Sequence, residues 1–180
     1  MSMDYTLERF ETETDIDSYI EDYVDIEHFL ECCKACPNYA NRWACPPYDF
    51  DPMDIWKAYD RLLIAGYRLT FSEDRTEEEM TKALWEVKQK LSEELYAEEK
   101  KQPGSRSLSA GTCQLCRECS KPEGKPCRYP DQMRYSIESI GGNVGRTISK
   151  LCGIEIEWIE EGRLPEHFVL VGGLLKGCRK

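Results

Sequence analysis

The chain has 180 residues, of which 34 are acidic and 24 basic, so its formal net charge is −10 at pH 7. A chain of this length can bury one full hydrophobic core, and we expect a single domain over residues 1–180. The negative charge repels a phosphate backbone and no basic stripe interrupts it, so we expect no nucleic-acid partner. We find no apolar leader and no apolar run of membrane-spanning length, which predicts a cytoplasmic protein without membrane contact.

The first elements that the sequence predicts are a strand and a helix. Polar and apolar residues roughly alternate from Asp4 to Glu11, as in a half-buried strand. Thr14 or Asp15 can then cap a helix whose apolar residues share one face. These apolar residues are Ile16, Tyr19, Ile20, Tyr23 and Val24.

A first cysteine-rich loop is expected over residues 32–48. Cys33, Cys36 and Cys45 follow the pattern C-x2-C-x8-C, and the last two are each followed by proline. Proline fixes φ and stiffens the chain as it leaves a metal ligand, and Cys-Pro recurs at bacterial ferredoxin clusters. The pattern therefore predicts that these three thiols bind metal.

The fourth ligand of the first loop is not fixed by the sequence. Cys32 is adjacent to Cys33 and reaches the same metal with difficulty. A distant Cys152 or Cys178 can complete the set, and His28 is a further candidate. Otherwise one iron is open to water, to a substrate or to a non-cysteine ligand. An open iron would favour a catalyst, whereas complete ligation would favour an electron carrier.

Ordinary folding elements separate the first loop from a second one. Pro52 can begin a short helix, because proline at the first helical position loses no hydrogen bond. Residues 61–71 are rich in apolar and aromatic side chains and predict a buried strand. Thr76 and Glu79 form a capping box for a long helix that we expect to end before Pro103.

The second cysteine-rich loop, residues 113–130, follows a short strand predicted at residues 105–111. Its thiols are Cys113, Cys116 and Cys119 at C-x2-C-x2-C spacing, followed by Cys127. This spacing lets each thiolate bind a different iron of a cubane, so a 4Fe–4S iron–sulfur cluster is the expected cofactor. Zinc is the alternative, although the third thiol is crowded around one tetrahedral ion. A reducing compartment favours metal ligation of these thiols over disulfides.

The C-terminal part of the sequence predicts one helical turn, one helix and two strands. Residues 135–140 predict the turn, and Asn143 can cap a helix that ends at Gly153. Residues 154–160 alternate strictly and predict a strand, with residues 168–175 as its hairpin partner. The order of elements predicts an α+β fold: a ferredoxin-like antiparallel sheet with helices on one face and the two cysteine-rich loops at one end.

The two loops resemble a known family. Their patterns are C-x2-C-P-x-Y-x3-W-x-C-P-P and G-x-C-x-L-C-x2-C-x4-G-K-P-C-R-x-P-x3-R-x-S-x-E-S. Between Cys33 and Val144 the chain is similar to a cysteine-rich prokaryotic family of predicted metal-binding proteins, frequent in anaerobes and methanogens. The resemblance implies no particular reaction. It implies metal binding by Cys33, Cys36, Cys45, Cys113, Cys116, Cys119 and Cys127.

The chain departs from the family pattern beside the second loop. It has Tyr135 and Ile137 where the family pattern has proline and methionine. It also has Gly142 and Asn143 where the pattern has isoleucine and aspartate. Both departures concern residues next to the predicted site and leave the ligands unchanged.

Three functional hypotheses follow from the residues. The first is an iron–sulfur protein that holds two 4Fe–4S clusters and transfers electrons to a redox partner protein, on whose basic patch its acidic surface can dock. The second is an enzyme whose three-cysteine cluster in the first loop exposes one iron as a Lewis acid or sulfur acceptor. The third is a zinc-stabilised interaction module. The sequence predicts no oligomeric state.

Five further side chains are candidates for contact with a cofactor. Tyr39 and Trp43 lie in the first loop and are expected to line its pocket, together with Arg42. Arg128 and Arg134 flank the second loop, where a guanidinium can orient a ligand or donate to cluster sulfides.

Overall fold

The computed structural model describes residues 5–157 and 164–179. Its strands are β1 (Tyr5–Asp15), β2 (Tyr59–Phe71), β3 (Arg106–Leu108) and β4 (His167–Cys178). They form one antiparallel sheet with the order β1-β2-β4-β3. The α-helices are α1 (Ile16–Tyr23), α2 (Ile26–Cys33), α3 (Pro52–Lys57), α4 (Glu77–Lys101) and α5 (Val144–Cys152). Short 3-10 turns lie at Lys121–Glu123 and Glu138–Ile140.

The sheet is covered by helices on both of its faces. Leu62 and Ile64 of β2 belong to one buried cluster, which also contains residues of α1, α3 and α5. Ala65 and Leu69 of the same strand belong to a second buried cluster, with the apolar residues of α4. Successive side chains of a strand point to opposite faces, so the two clusters lie on opposite sides of the sheet. The α+β class and the antiparallel sheet are confirmed, whereas the expected placement of helices on one face is wrong.

Helices α1, α4 and α5 begin where the sequence predicts their caps, whereas α2 and its cap Asp25 were not predicted. The Asp15 carboxylate accepts from the amide of Asp17 at 3.0 Å at the start of α1. Thr76 and Glu79 form the predicted capping box, in which each side chain accepts from the other residue's amide, at 3.3 and 3.1 Å. The Asn143 side chain accepts from the amide of Arg146 at 2.9 Å at the start of α5. These local hydrogen bonds satisfy amides that have no partner inside the helix.

The C-terminal hairpin differs from its prediction. β4 pairs with β2 along most of its length and with β3 at residues 173–175. Residues 154–157 form no strand, and residues 158–160 of the predicted strand lie outside the described residues. Ile154 and Ile156 pack against the buried cluster that contains α5. The alternation therefore marks side chains that face this core and does not mark a hydrogen-bonded ladder.

Candidate metal centre

The first cysteine-rich loop continues from the end of α2. Cys33 is the last residue of this helix, and the amide of Cys36 donates to its carbonyl at 2.9 Å. Ala40 has a positive φ of 59°, and its amide donates to the carbonyl of Pro46 at 2.7 Å. This hydrogen bond closes the loop and returns Cys45 toward the helix end.

The three predicted thiols of the first loop are neighbours in space. Burial raises the pKa of Cys33 to about 11, and the nearby thiols of Cys36 and Cys45 contribute to this increase. Burial also raises the pKa of Cys45, although its sulfur lies 3.3 Å from the Thr112 hydroxyl, which lowers it. Because a metal binds the thiolate, ligation at these residues would release protons.

The four thiols of the second loop line one small pocket. Its walls also include Arg42, Trp43, Ala44, Leu115, Tyr129 and Met133. Burial raises the pKa of Cys113, and the thiols of Cys127, Cys116 and Cys119 add to the increase. The Ser120 hydroxyl donates to the carbonyl of Pro126 at 2.7 Å, which holds the loop closed before Cys127. All four predicted ligands of this loop are thus brought together.

The two loops pack against each other. The Trp43 indole donates to the carbonyl of Lys125 at 3.1 Å, and Arg42 donates to that of Cys116 at 3.5 Å. In the opposite direction, the Lys121 ammonium donates to the carbonyl of Cys45 at 2.8 Å. The two groups of thiols are therefore neighbouring parts of one composite site, with residues 42–45 between them.

The remaining cysteines are Cys32, Cys152 and Cys178, and of these Cys32 lies beside a predicted ligand and contributes to the raised pKa of Cys33. Cys32 is exposed, and its sulfur lies 3.7 Å from Nε2 of His28, which is also exposed. Cys152 packs against the core, and burial alone raises its pKa, without a contribution from another thiol. Cys178 is exposed at the end of β4. The structure thus gives no support to Cys152 or Cys178 as the fourth ligand of the first loop.

The candidate side chains around the thiols mostly contact protein groups. The Lys121 ammonium lies over the Trp43 ring, 5.6 Å from the ring centroid, and Tyr39 is half-buried in the first loop. Arg128 donates to the carbonyl of Glu118 at 2.6 Å, and Arg134 forms an ion pair with Glu99 at 2.5 Å. Contact of these four side chains with a cofactor stays a prediction.

Two charged residues near the thiols, Lys88 and Glu138, were not predicted from the sequence. Burial lowers the pKa of Lys88, whereas the nearby Glu138 and Cys113 raise it. Lys88 lies four residues after Leu84 and three before Leu91. This spacing places it on the apolar face of α4, and that position was an available signal that its side chain is buried. Glu138 lies in a 3-10 turn beside the buried residues Ile137 and Ile140, where no helical or strand period marks it as buried.

The donor set determines which metals suit the site. Thiolates are soft ligands, which favour iron–sulfur clusters and zinc over magnesium or calcium. Within residues 5–157 and 164–179, no three Cys, His, Asp or Glu side chains are arranged to hold a metal ion. The loops of the structure thus present neighbouring thiols and not a closed ligand shell.

Comparison with known proteins identifies the family of the chain. The described residues include no helix with the length and hydropathy of a membrane span. Searches among curated proteins and among solved structures found no match. A family model with the description "predicted metal-binding protein (DUF2284)" matches residues 20–175, which include both cysteine-rich loops. The chain therefore belongs to this family of predicted metal-binding proteins.

Proposed function

We propose that the two cysteine-rich loops bind two iron–sulfur clusters of the 4Fe–4S type and that the protein transfers electrons to a partner protein. The observation that carries the proposal is the pocket lined by all four thiols of the second loop. In the second loop, Cys113, Cys116, Cys119 and Cys127 would hold one cluster. In the first loop, Cys33, Cys36 and Cys45 would hold the other.

The spacing of the second loop supports a cluster over zinc. Three thiols at C-x2-C-x2-C can each bind a different iron of one cubane. A single zinc ion would need all its sulfurs at about 2.3 Å, in a tetrahedron that is crowded for three closely spaced thiols. The bound group would supply reversible one-electron chemistry, and the thiols of the chain would fix its position.

The packing of the two loops supports electron transfer. The Cys45 sulfur contacts the hydroxyl of Thr112, the residue before Cys113, so this one contact links the two groups of thiols. Two redox centres in such fixed proximity can exchange electrons without a conformational change. The net charge of −10 suits a partner with a basic docking surface.

Catalysis at the first loop is a second candidate function. It is favoured by one observation, namely that Cys32 is exposed and its sulfur faces His28, which leaves the three thiols of Cys33, Cys36 and Cys45 for a cluster. An iron without a protein ligand would act there as a Lewis acid, and Tyr39, Arg42 and Trp43 would border the substrate. A small molecule that changes the spectrum of the first cluster alone would support this function over electron transfer.

Single cysteine variants test the proposal one loop at a time. We expect Cys36→Ser and Cys116→Ser each to lose about half of the iron of the anaerobically purified protein, with a different EPR signal lost in each. Cys178→Ser is the matched control, because this exposed thiol ends β4 and belongs to neither loop, and it should keep the full iron content. Equal iron content in all three variants, or zinc in place of iron, would overturn the proposal.

A further inference from the structure

A pocket of about 280 Å³ lies between α4 and the second cysteine-rich loop, and we refer to it as the α4 pocket. Its walls are one face of α4, the strand β3, the beginning of the loop and the segment that follows the loop. Ligand sites of proteins begin at about 300 Å³, so the α4 pocket suits a small organic molecule. Cys113 lines the pocket, and a bound molecule would therefore lie beside the thiols of the second loop.

The inner part of the α4 pocket is apolar. Leu95 and Leu108 line it, and both side chains are almost fully buried. The Tyr96 ring adds an aromatic surface. Leu115, which is 43% exposed, lies at the opening. These four side chains would contact the apolar body of a ligand and shield it from water.

Lys88 gives the α4 pocket a cation without an ion-pair partner. The side chain is half-buried, and its ammonium lies beside the second loop, since a Cβ atom at Gly111 would be 3.6 Å from Nζ. Glu138 raises the pKa of Lys88, but no carboxylate in the described part of the chain is close enough to form an ion pair with it. A half-buried ammonium that lacks a counter-ion favours an anionic ligand.

The other polar groups of the α4 pocket are compatible with an anion. Arg134 is neutralised by Glu99, whose two carboxylate oxygens accept from its guanidinium at 2.8 and 2.5 Å. Glu93 is the one carboxylate among the described lining residues, and it is exposed to water. Three lining side-chain amides form no hydrogen bond within residues 5–157 and 164–179 and can donate to a ligand: those of Gln89, Gln114 and Gln132.

We propose that the α4 pocket binds a small organic anion, whose carboxylate pairs with Lys88 and whose apolar body packs against Leu95 and Leu108. This inference goes beyond the proposed electron transfer, which requires no small molecule. A neutral molecule of the same shape would leave the ammonium unpaired and should bind more weakly. A cationic molecule would be repelled by Lys88.

Isothermal titration calorimetry of the anaerobically purified protein with benzoate tests the inference. Benzoate carries a carboxylate on a small apolar ring, and benzamide is its neutral counterpart of nearly the same shape. We expect benzoate to bind at one site and Lys88→Met to weaken this binding about tenfold or more, because a hydrogen bond between charged groups is lost. Benzamide should bind more weakly than benzoate, with equal affinity for the wild type and for Lys88→Met.

Two further variants locate the binding site. Lys82→Met is the matched control, because this exposed lysine of α4 lies outside the pocket, and it should keep the wild-type affinity for benzoate. Ser92→Phe tests the pocket without a change of charge. Its ring would fill part of the space, so benzoate and benzamide should both lose binding.

Three results would overturn the inference. They are a wild-type protein that does not bind benzoate, an unchanged affinity in Lys88→Met and an unchanged affinity in Ser92→Phe. None of these titrations depends on iron or on electron transfer. Benzoate binding that is lost in both variants of a chain containing zinc would support the inference and overturn only the proposed function.

Discussion

The interaction of Arg134 with Glu99 is the best-formed ion pair near the site. The guanidinium donates to both carboxylate oxygens, at 2.8 and 2.5 Å, and to the carbonyl of Asp131 at 2.8 Å. Glu99 also accepts from the amide and the hydroxyl of Ser107, at 2.7 and 2.6 Å. The two side chains are only 12% and 15% exposed. This pair joins the segment after the second loop to α4 and to β3.

Loss of this pair should destabilise the chain. We expect Arg134→Ala to lower the free energy of unfolding by about 3 kcal/mol, because Glu99 is left as a half-buried charge without its cation. Arg128→Ala is the control, since that exposed side chain has one hydrogen bond to a carbonyl, and its cost should stay within about 0.5 kcal/mol. Denaturant unfolding of the metal-free chains measures both. A stable Arg134→Ala chain with an altered cluster spectrum would instead show that Arg134 acts on the cofactor.

At the scale of single residues, the thiols could be predicted and Glu138 could not. The spacing of three thiols by itself predicts a metal site, because short fixed spacings limit which metal sites the chain can form; these thiols are Cys113, Cys116 and Cys119. Glu138 interacts with Lys88 of α4 only because the fold brings its turn to that helix. A contact between residues so distant in sequence depends on the tertiary fold, which no local pattern encodes.

At the scale of the elements, the pairing of β2 with β4 leaves no room for a side chain at Gly66. A Cβ atom there would lie 2.1 Å from the carbonyl oxygen of Leu170 and 2.5 Å from the ring of Phe10. Backbone and ring both pack into the space of the missing side chain. The close approach of β1, β2 and β4 therefore requires glycine at this position.

The Gly66→Ala variant tests this requirement. We expect the free energy of unfolding to fall by about 3 kcal/mol or more, because the carbonyl of Leu170 belongs to the sheet and has little freedom to move. Gly145→Ala is the matched control: in α5 its Cβ would meet atoms only at 3.6 Å and beyond, and alanine there should stabilise the chain by about 0.5 kcal/mol. Chemical denaturation compares the two. Equal stability of Gly66→Ala and the wild type would contradict the described sheet.

The elements were predicted where their signals are local. Caps and apolar stripes identified α1, α4 and α5, since both depend on residues within a few positions of each other. The pairing of β4 was wrong because alternation reports which side chains are buried and not which strand lies alongside. The placement of helices on both faces of the sheet likewise depends on how distant elements pack.

In the whole molecule, the main feature of the site is the contact between two loops that are separated by α3, β2, α4 and β3 along the chain. The contacts of Arg42, Trp43 and Cys45 with the second loop bring the two groups of thiols together. The sequence predicts each loop as a metal site and places both loops at one end of the sheet, but the contacts between them follow only from the fold. This adjacency supports a two-centre electron relay more directly than either loop does alone.

The ratio of iron, acid-labile sulfide and zinc to protein in the anaerobically purified chain tests this account most directly. Two 4Fe–4S clusters predict about eight irons and about eight sulfides per chain, with little zinc. One or two zinc ions per chain without acid-labile sulfide would contradict the account and would show that both loops are structural zinc sites.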